Sequence, residues 1–179
     1  MTTNIVYLGM SLDGYIAGPD GDLGWLEYVP VPEGDDLGYG AFMQRIDAVV
    51  MGRVTFETVL GFGMGWHYGK PGIILSSTLT EVPSEVADQV QLARGTPAEI
   101  VAVAEAQGYQ SLYIDGGVTV QQFLQADLVD EMILATIPIL VGGGIPLFGT
   151  LADPLGFELL GSEVLADQIV KNHYRRKRT

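Results

Sequence analysis

Two short segments hold the residues best suited to chemistry. In Met51-Gly52-Arg53-Val54-Thr55 and in Asp115-Gly116-Gly117-Val118-Thr119, an apolar run ends in glycine and a helical pattern begins. Glycine lets backbone approach a ligand closely, and the start of a helix offers unpaired N–H groups and a positive dipole end. That combination binds phosphate, and two such turns on one sheet can hold the two ends of a dinucleotide. Taken singly, each turn is explained as well by glycine making it tight. Taken together, with Arg53 beside one of them, they favour a ligand. Asp115, at a strand end just before the second turn, is a candidate proton donor, since a carboxyl with a raised pKa can act as a general acid. The same residue could simply cap the following helix.

Other carboxylates and aromatic residues are less specific. Asp13 follows the first strand, where an Asx-turn with Gly14 is the usual outcome and a substrate contact the alternative. Trp25 and Trp66 could wall a flat substrate or could pack in a core. Glu57 reads as a structural helix residue, and His67 sits in a glycine- and aromatic-rich loop with no catalytic signature. The GxSxG, HExxH and P-loop patterns are absent, which argues against acyl or phosphoryl transfer. Gly61-Phe62-Gly63-Met64-Gly65 has no strand leading into it, so it is not a dinucleotide fingerprint.

The elements that must position these residues follow from periodicity. Ile5–Met10, Asp47–Met51, Ile73–Leu75, Val90–Ala93, Ser111–Asp115 and Asp130–Ile137 read as strands. Their apolar runs are those of a sheet covered on both faces. Asp35–Arg45 has helical spacing that Gly38 and Gly40 weaken, Gly52 to Leu60 reads as a strand-to-helix turn, and helices are expected from Thr96 to Gln107 and over Val118–Ala126. Thr96-Pro97-Ala98-Glu99 carries an N-cap, a first-turn proline and a capping-box acid, and Gly108 ends that helix. Phe157–Leu165 and Gln168–Tyr174 alternate in polarity and read as a closing antiparallel hairpin. Strands alternating with helices predict an α/β fold with a mostly parallel sheet between helical layers. With 179 residues and no visible linker or repeat, one domain over 1–179 is expected.

Composition removes whole classes of function. The chain has no cysteine and two histidines, so thiolate or histidine-rich metal sites are not expected. A net charge of -13 opposes general nucleic-acid binding, which needs clustered Lys and Arg. The one basic run, Arg175-Arg176-Lys177-Arg178, reads as a solvated tail. No segment reaches 18 consecutive apolar residues and no signal peptide is visible, so a cytoplasmic location without membrane attachment is expected.

Met10-Ser11-Leu12-Asp13-Gly14-Tyr15-Ile16-Ala17, Met51 to Glu57, Leu75-Ser76-Ser77, Tyr113 to Gly117, and Ala126 to Glu131 leading to Pro138-Ile139-Leu140 form a joint pattern. It resembles the dihydrofolate-reductase-like superfamily, in particular the bacterial branch related to the reductase domain of the riboflavin-biosynthesis deaminase/reductase. The resemblance implies a three-layer α/β/α fold, a homodimer, and an NADPH-dependent reductase acting on a small flat heterocycle of pterin or pyrimidine type. It implies that Ile16, Ala17 and Gly18 line the nicotinamide and that Gly52, Arg53, Val54 and Thr55 meet phosphate. It further implies that Ser76 and Ser77 bond the ribose or its 2′-phosphate, and that Gly116, Gly117, Val118, Thr119 and Val120 form the second cradle. Asp115 matches an acidic position of that branch; Asp13 and Trp25 are the candidate substrate contacts. Many relatives carry a basic residue near the segment matching Ser76-Ser77, and here that segment has none. A ribose-phosphate substrate needs several basic side chains, and few of the nine Lys and Arg are available for one. The alternative to an enzyme is a non-catalytic nucleotide-binding or regulatory protein that retains the fold.

Overall fold

A computed structural model describes residues 2–178. Ten strands and four α-helices are assigned among them: β1 (Thr3–Ser11), β2 (Tyr15–Ala17), α1 (Tyr39–Gln44), β3 (Ala48–Gly52), α2 (Arg53–Gly61), β4 (Gly72–Leu75), β5 (Val90–Ala93), α3 (Pro97–Ala106), β6 (Ser111–Asp115), α4 (Gly117–Gln125), β7 (Glu131–Ile137), β8 (Ile145–Pro146), β9 (Phe157–Leu165) and β10 (Ile169–Arg176). Eight strands form one sheet in the order β5-β4-β3-β6-β1-β7-β10-β9. Strands β5 through β7 pair in parallel; β10 runs antiparallel between β7 and β9.

The strands bury both faces, as their apolar runs require, and the pleat sorts their side chains in alternation. Val6, Val50, Ile73, Leu112, Ile114 and Leu134 meet α3 and α4 on one face. Ile5, Val49, Met51, Ile74, Tyr113 and Ile133 meet α1 and α2 on the other. The result is three layers, helix–sheet–helix. A third cluster, Trp25, Val29, Ile137 and Ile169, closes the β7–β10 end.

Local chemistry explains the element ends. Thr96 and Glu99 form a reciprocal capping box at the start of α3. Helix α1 is shorter than its sequence pattern predicts. Asp35 accepts from the Leu37 amide, and Asp36 accepts from the Gly38 and Gly40 amides. These side-chain bonds compete with helical ones, and Gly38 sits at φ 86, so the helix starts only at Tyr39.

Candidate active site

The cleft follows from topology. Strands β3 and β6 are neighbours, with Met51 opposite Asp115, yet α2 leaves β3 toward one face and α4 leaves β6 toward the other. A crevice opens at the carboxyl ends of strands wherever successive helices diverge in this way. Here it measures about 650 Å³ and spans the ends of β5, β4, β3, β6 and β1.

Its floor is made of the two glycine turns. Gly116 adopts φ 87, and a Cβ there would overlap the Thr55 hydroxyl and stand 3.1 Å from Thr55 Cβ. A Cβ on Gly52 would lie 3.2 Å from Thr119 Oγ1. The two helix N-termini therefore converge. Neither has a side-chain cap, so first-turn N–H groups remain for a ligand. Gly117 serves a further purpose: a Cβ there would meet Ile16 Cδ1 at 2.8 Å and Ile145 Cγ2 at 3.2 Å. Its smallness seats the small β2–β8 ribbon on the start of α4.

Asp115 points into the α1/α2 side of the crevice. Tyr68 Oη donates to its Oδ2 at 2.7 Å, and the Gly116 amide donates to its Oδ1 at 2.8 Å. Burial raises its pKa above the ordinary carboxylate value, against those hydrogen bonds, which favour the charged form. Tyr68 is itself held protonated by burial and by the Asp115 charge. Its ring packs tilted on Trp66 and stacks on His67, so an aromatic wall fixes the hydroxyl. A half-buried carboxyl with a raised pKa, facing a cleft, can hold and deliver a proton.

Most residues singled out from the sequence meet at this cleft. Ile16 and Ala17 line it, as do Gly52, Arg53, Val54 and Thr55. Ser76, Ser77, Asp115 and the Gly116-Gly117-Val118-Thr119 turn complete the group. Of the expected cofactor and substrate contacts, Val120, Gly18, Trp25 and Asp13 do not line it. Val120 is fully buried in the core, because the phase of α4 turns it toward the sheet while Val118 and Thr119 face the cleft. Gly18 packs against Gly144, whose missing side chain leaves room for the Ala17 carbonyl and the Gly18 backbone.

Trp25 is buried against Val29, Ile137 and Ile169, and its neighbours Leu23 and Leu26 face the cleft instead. Asp13 makes no Asx-turn with Gly14. Its carboxylate accepts from Ser11 Oγ at 2.6 Å, the Gly142 amide at 2.7 Å and the Val141 amide at 3.1 Å. The Ser11 bond, with those two amides, lowers its pKa to about 2. Asp13 thus fastens the glycine-rich 141–144 segment to the β1–β2 loop. Trp66 is also buried, with its indole N–H donating to the Lys70 carbonyl at 2.6 Å.

Among the cleft residues that the sequence did not single out are Tyr68 and Arg94. Tyr68 lies in a loop 47 residues from Asp115, and no local pattern links them. Arg94 follows β5, and only the pairing of Leu75 with Ala93 brings it beside Ser76. It is a basic residue lining the cleft with Ser76, whose own segment has none. Its guanidinium donates to the Leu79 carbonyl at 3.2 Å. Among the described residues no carboxylate pairs with it, whereas Arg53 pairs with Glu57 at 2.8 Å. No group of three or more His, Cys, Asp or Glu is placed to hold a metal among the described residues.

A crystal structure from Shewanella sp. PV-4, named as a candidate riboflavin biosynthesis protein, is 49% identical with a TM-score of 0.95, covering 99% of this chain and 100% of that one. The uncharacterized protein YwjB of Bacillus subtilis is 33% identical over 96% of this chain and 97% of its own length. Dihydrofolate reductase from Enterococcus faecalis, solved with NADP(H), shares the fold with a TM-score of 0.67 at 20% identity, covering 98% and 97% of the two chains. The model of the RibD C-terminal domain matches residues 3–171. By that match and by its nearly full-length likeness to YwjB, the chain belongs to the RibD C-terminal domain family, with a fold close to those of the riboflavin-pathway reductases.

Proposed function

We propose that the protein is an NADPH-dependent reductase of a small flat heterocycle. The reading rests above all on Asp115, a protonatable carboxyl held in a crevice between two uncapped helix N-termini. The donor set fits a dinucleotide. First-turn amides of α2 and α4 suit a pyrophosphate, and Ser76, Ser77 and the unpaired Arg94 suit a 2′-phosphate. The NADP(H) bound to the Enterococcus faecalis relative of like fold supports the same assignment. When bound, such a cofactor supplies hydride; the protein supplies orientation and a proton. Asp115 donates that proton to the atom gaining the electron pair, and the Tyr68 hydroxyl holds the carboxyl in place. A homodimer belongs to the same proposal, with Leu159 and Val164 of the edge strand β9, 58% and 64% exposed, as apolar contact surface.

Titration of the purified protein with NADPH and with NADH, followed by protein fluorescence, tests the reading. Saturable binding with NADPH preferred is expected, and Arg94→Gln is expected to narrow the preference by about tenfold, the loss of one charge-assisted contact. Absence of binding by either cofactor at millimolar concentration would overturn it.

A further inference from the structure

The cleft is chemically lopsided. Of its lining residues only Arg53 and Arg94 are cationic, and both belong to the β3–β5 half. The other half is built by Leu8 and Gly9 of β1, by Ile16, and by Leu23 and Leu26 of the segment that follows. The first Lys or Arg in the chain is Arg45, so the whole stretch that supplies this wall contains none. It does contain seven acids: Asp13, Asp20, Asp22, Glu27, Glu33, Asp35 and Asp36. Three of them, Asp20, Asp22 and Glu27, lie within three residues of Leu23 or Leu26 in the sequence.

No Lys or Arg from elsewhere in the chain fills the gap. Arg45 is bound to Glu131, and Lys171 to Glu163 and the Leu37 carbonyl. Arg176 and Arg178 are bound to Asp127 and Asp130, which precede β7 and so lie at the opposite edge of the sheet. Arg175 pairs with Glu158 at the start of β9. Lys70 acts on Asp47, just before β3, again at the opposite edge. Lys177 follows Arg176 on that side, its amide bonded to the Gly156 carbonyl.

We infer that the acceptor half of the cleft takes an uncharged, phosphate-free planar heterocycle, recognised by Leu8, Leu23 and Leu26, and excludes the sugar phosphates that a riboflavin-type substrate would carry. This rests on the reductase reading, with the cationic half given to the dinucleotide. A phosphate brought to the apolar half would be desolvated beside leucines and the Asp115 carboxyl, with no Lys or Arg lining that half to meet it. The acceptor's C=N or C=O carbon receives the hydride. Its heteroatom keeps the electron pair of the broken π bond and takes the Asp115 proton, with the reduced dinucleotide as two-electron donor. Asp115 then regains a proton from water.

The test uses the full chain and a matched pair, 5-amino-6-(ribosylamino)uracil and its 5′-phosphate. NADPH binding is measured first, so a failure of the reductase reading shows as no cofactor binding. With cofactor bound, calorimetric affinity and NADPH oxidation are compared across the pair, and a set of phosphate-free pterins and pyrimidines is screened. Binding or turnover of a phosphate-free compound, at least about tenfold better than of any phosphorylated counterpart, is expected. Leu26→Arg, and separately Leu23→Arg, should reduce or reverse that order without changing NADPH affinity. Preference of the unaltered protein for the 5′-phosphate would overturn the inference. So would failure to bind or reduce any phosphate-free compound while NADPH still binds.

Discussion

At the scale of the residue, Asp115 and Tyr68 form the pair whose chemistry can be tested most directly. Replacing Asp115 with Asn removes the proton but keeps the shape, so cofactor affinity should hold while turnover falls by about 10²–10⁴-fold, the usual worth of a positioned acid. Stopped-flow NADPH oxidation measures the fall; unchanged turnover would end the role of Asp115. In the unaltered protein the rate should decline as pH rises through the elevated Asp115 pKa, because only the protonated carboxyl can donate. Tyr68 donates to the carboxylate and so favours its charged form. Tyr68→Phe should therefore shift that decline to higher pH, whereas a residue that only supported the fold would lower the rate without moving the profile. Asp115 was legible in the sequence because a strand end followed by two glycines marks a site. Tyr68 and Arg94 were not, since each reaches the cleft through tertiary pairing. Asp13 and Trp25 show the converse: residue types that suit a substrate, the one engaged instead by backbone amides and the other packed in a core.

At the scale of the element, the glycine turns carry more constraint than any side chain. Gly116→Ala would place a Cβ on the Thr55 hydroxyl and force a side chain to φ 87. A loss of about 1–3 kcal/mol in urea unfolding is expected from the strained backbone, together with weakened NADPH binding as α2 and α4 are pushed apart. Thr96→Ala is the informative contrast: loss of its capping box should cost about 1 kcal/mol and leave cofactor binding intact. If the two variants lost binding in proportion to stability, the turn would have no role beyond folding. The capped helix was legible to within a residue because all its signals are local. Helix α1 was not, because the apolar spacing from Leu37 to Ile46 looks helical while the Asp35 and Asp36 side chains take the amides a longer helix would need. The sheet was legible as mostly parallel. Its strand order, which puts β6 between β3 and β1 and so creates the crevice, has no local signature.

At the scale of the whole molecule, stability should respond to pH in two opposed ways. Asp127 is held below its ordinary value by hydrogen bonds from Arg176, with the Arg176 and Arg178 charges assisting. Glu131 is pushed up by burial, but Arg45 and His173 outweigh that and hold it low. Asp47 is lowered by the Gln110 and Ser111 amides. Such groups stabilise the fold above their unfolded values, near 3.8 for Asp and 4.5 for Glu, and the contribution is lost as pH falls through the folded values. Two of these carboxylates tie the C-terminal strand to the rest: Asp127 bonds Arg176, and Glu131 bonds His173. Asp115 acts in the other sense. Its folded pKa lies above 3.8, so its contribution is full below that value and is lost as pH rises through the folded one. Urea midpoints taken from pH 3 to pH 8 separate the two. Asp127→Asn should be less stable than the unaltered protein at neutral pH and converge with it in acid. Asp115→Asn, freed of a buried charge, should be at its most favourable relative to the unaltered protein at neutral pH and lose that advantage as pH falls. An Asp115→Asn difference that did not change with pH would mean that the carboxyl is not held protonated by the fold, and the proton donor would have to be sought in water reaching the cleft instead.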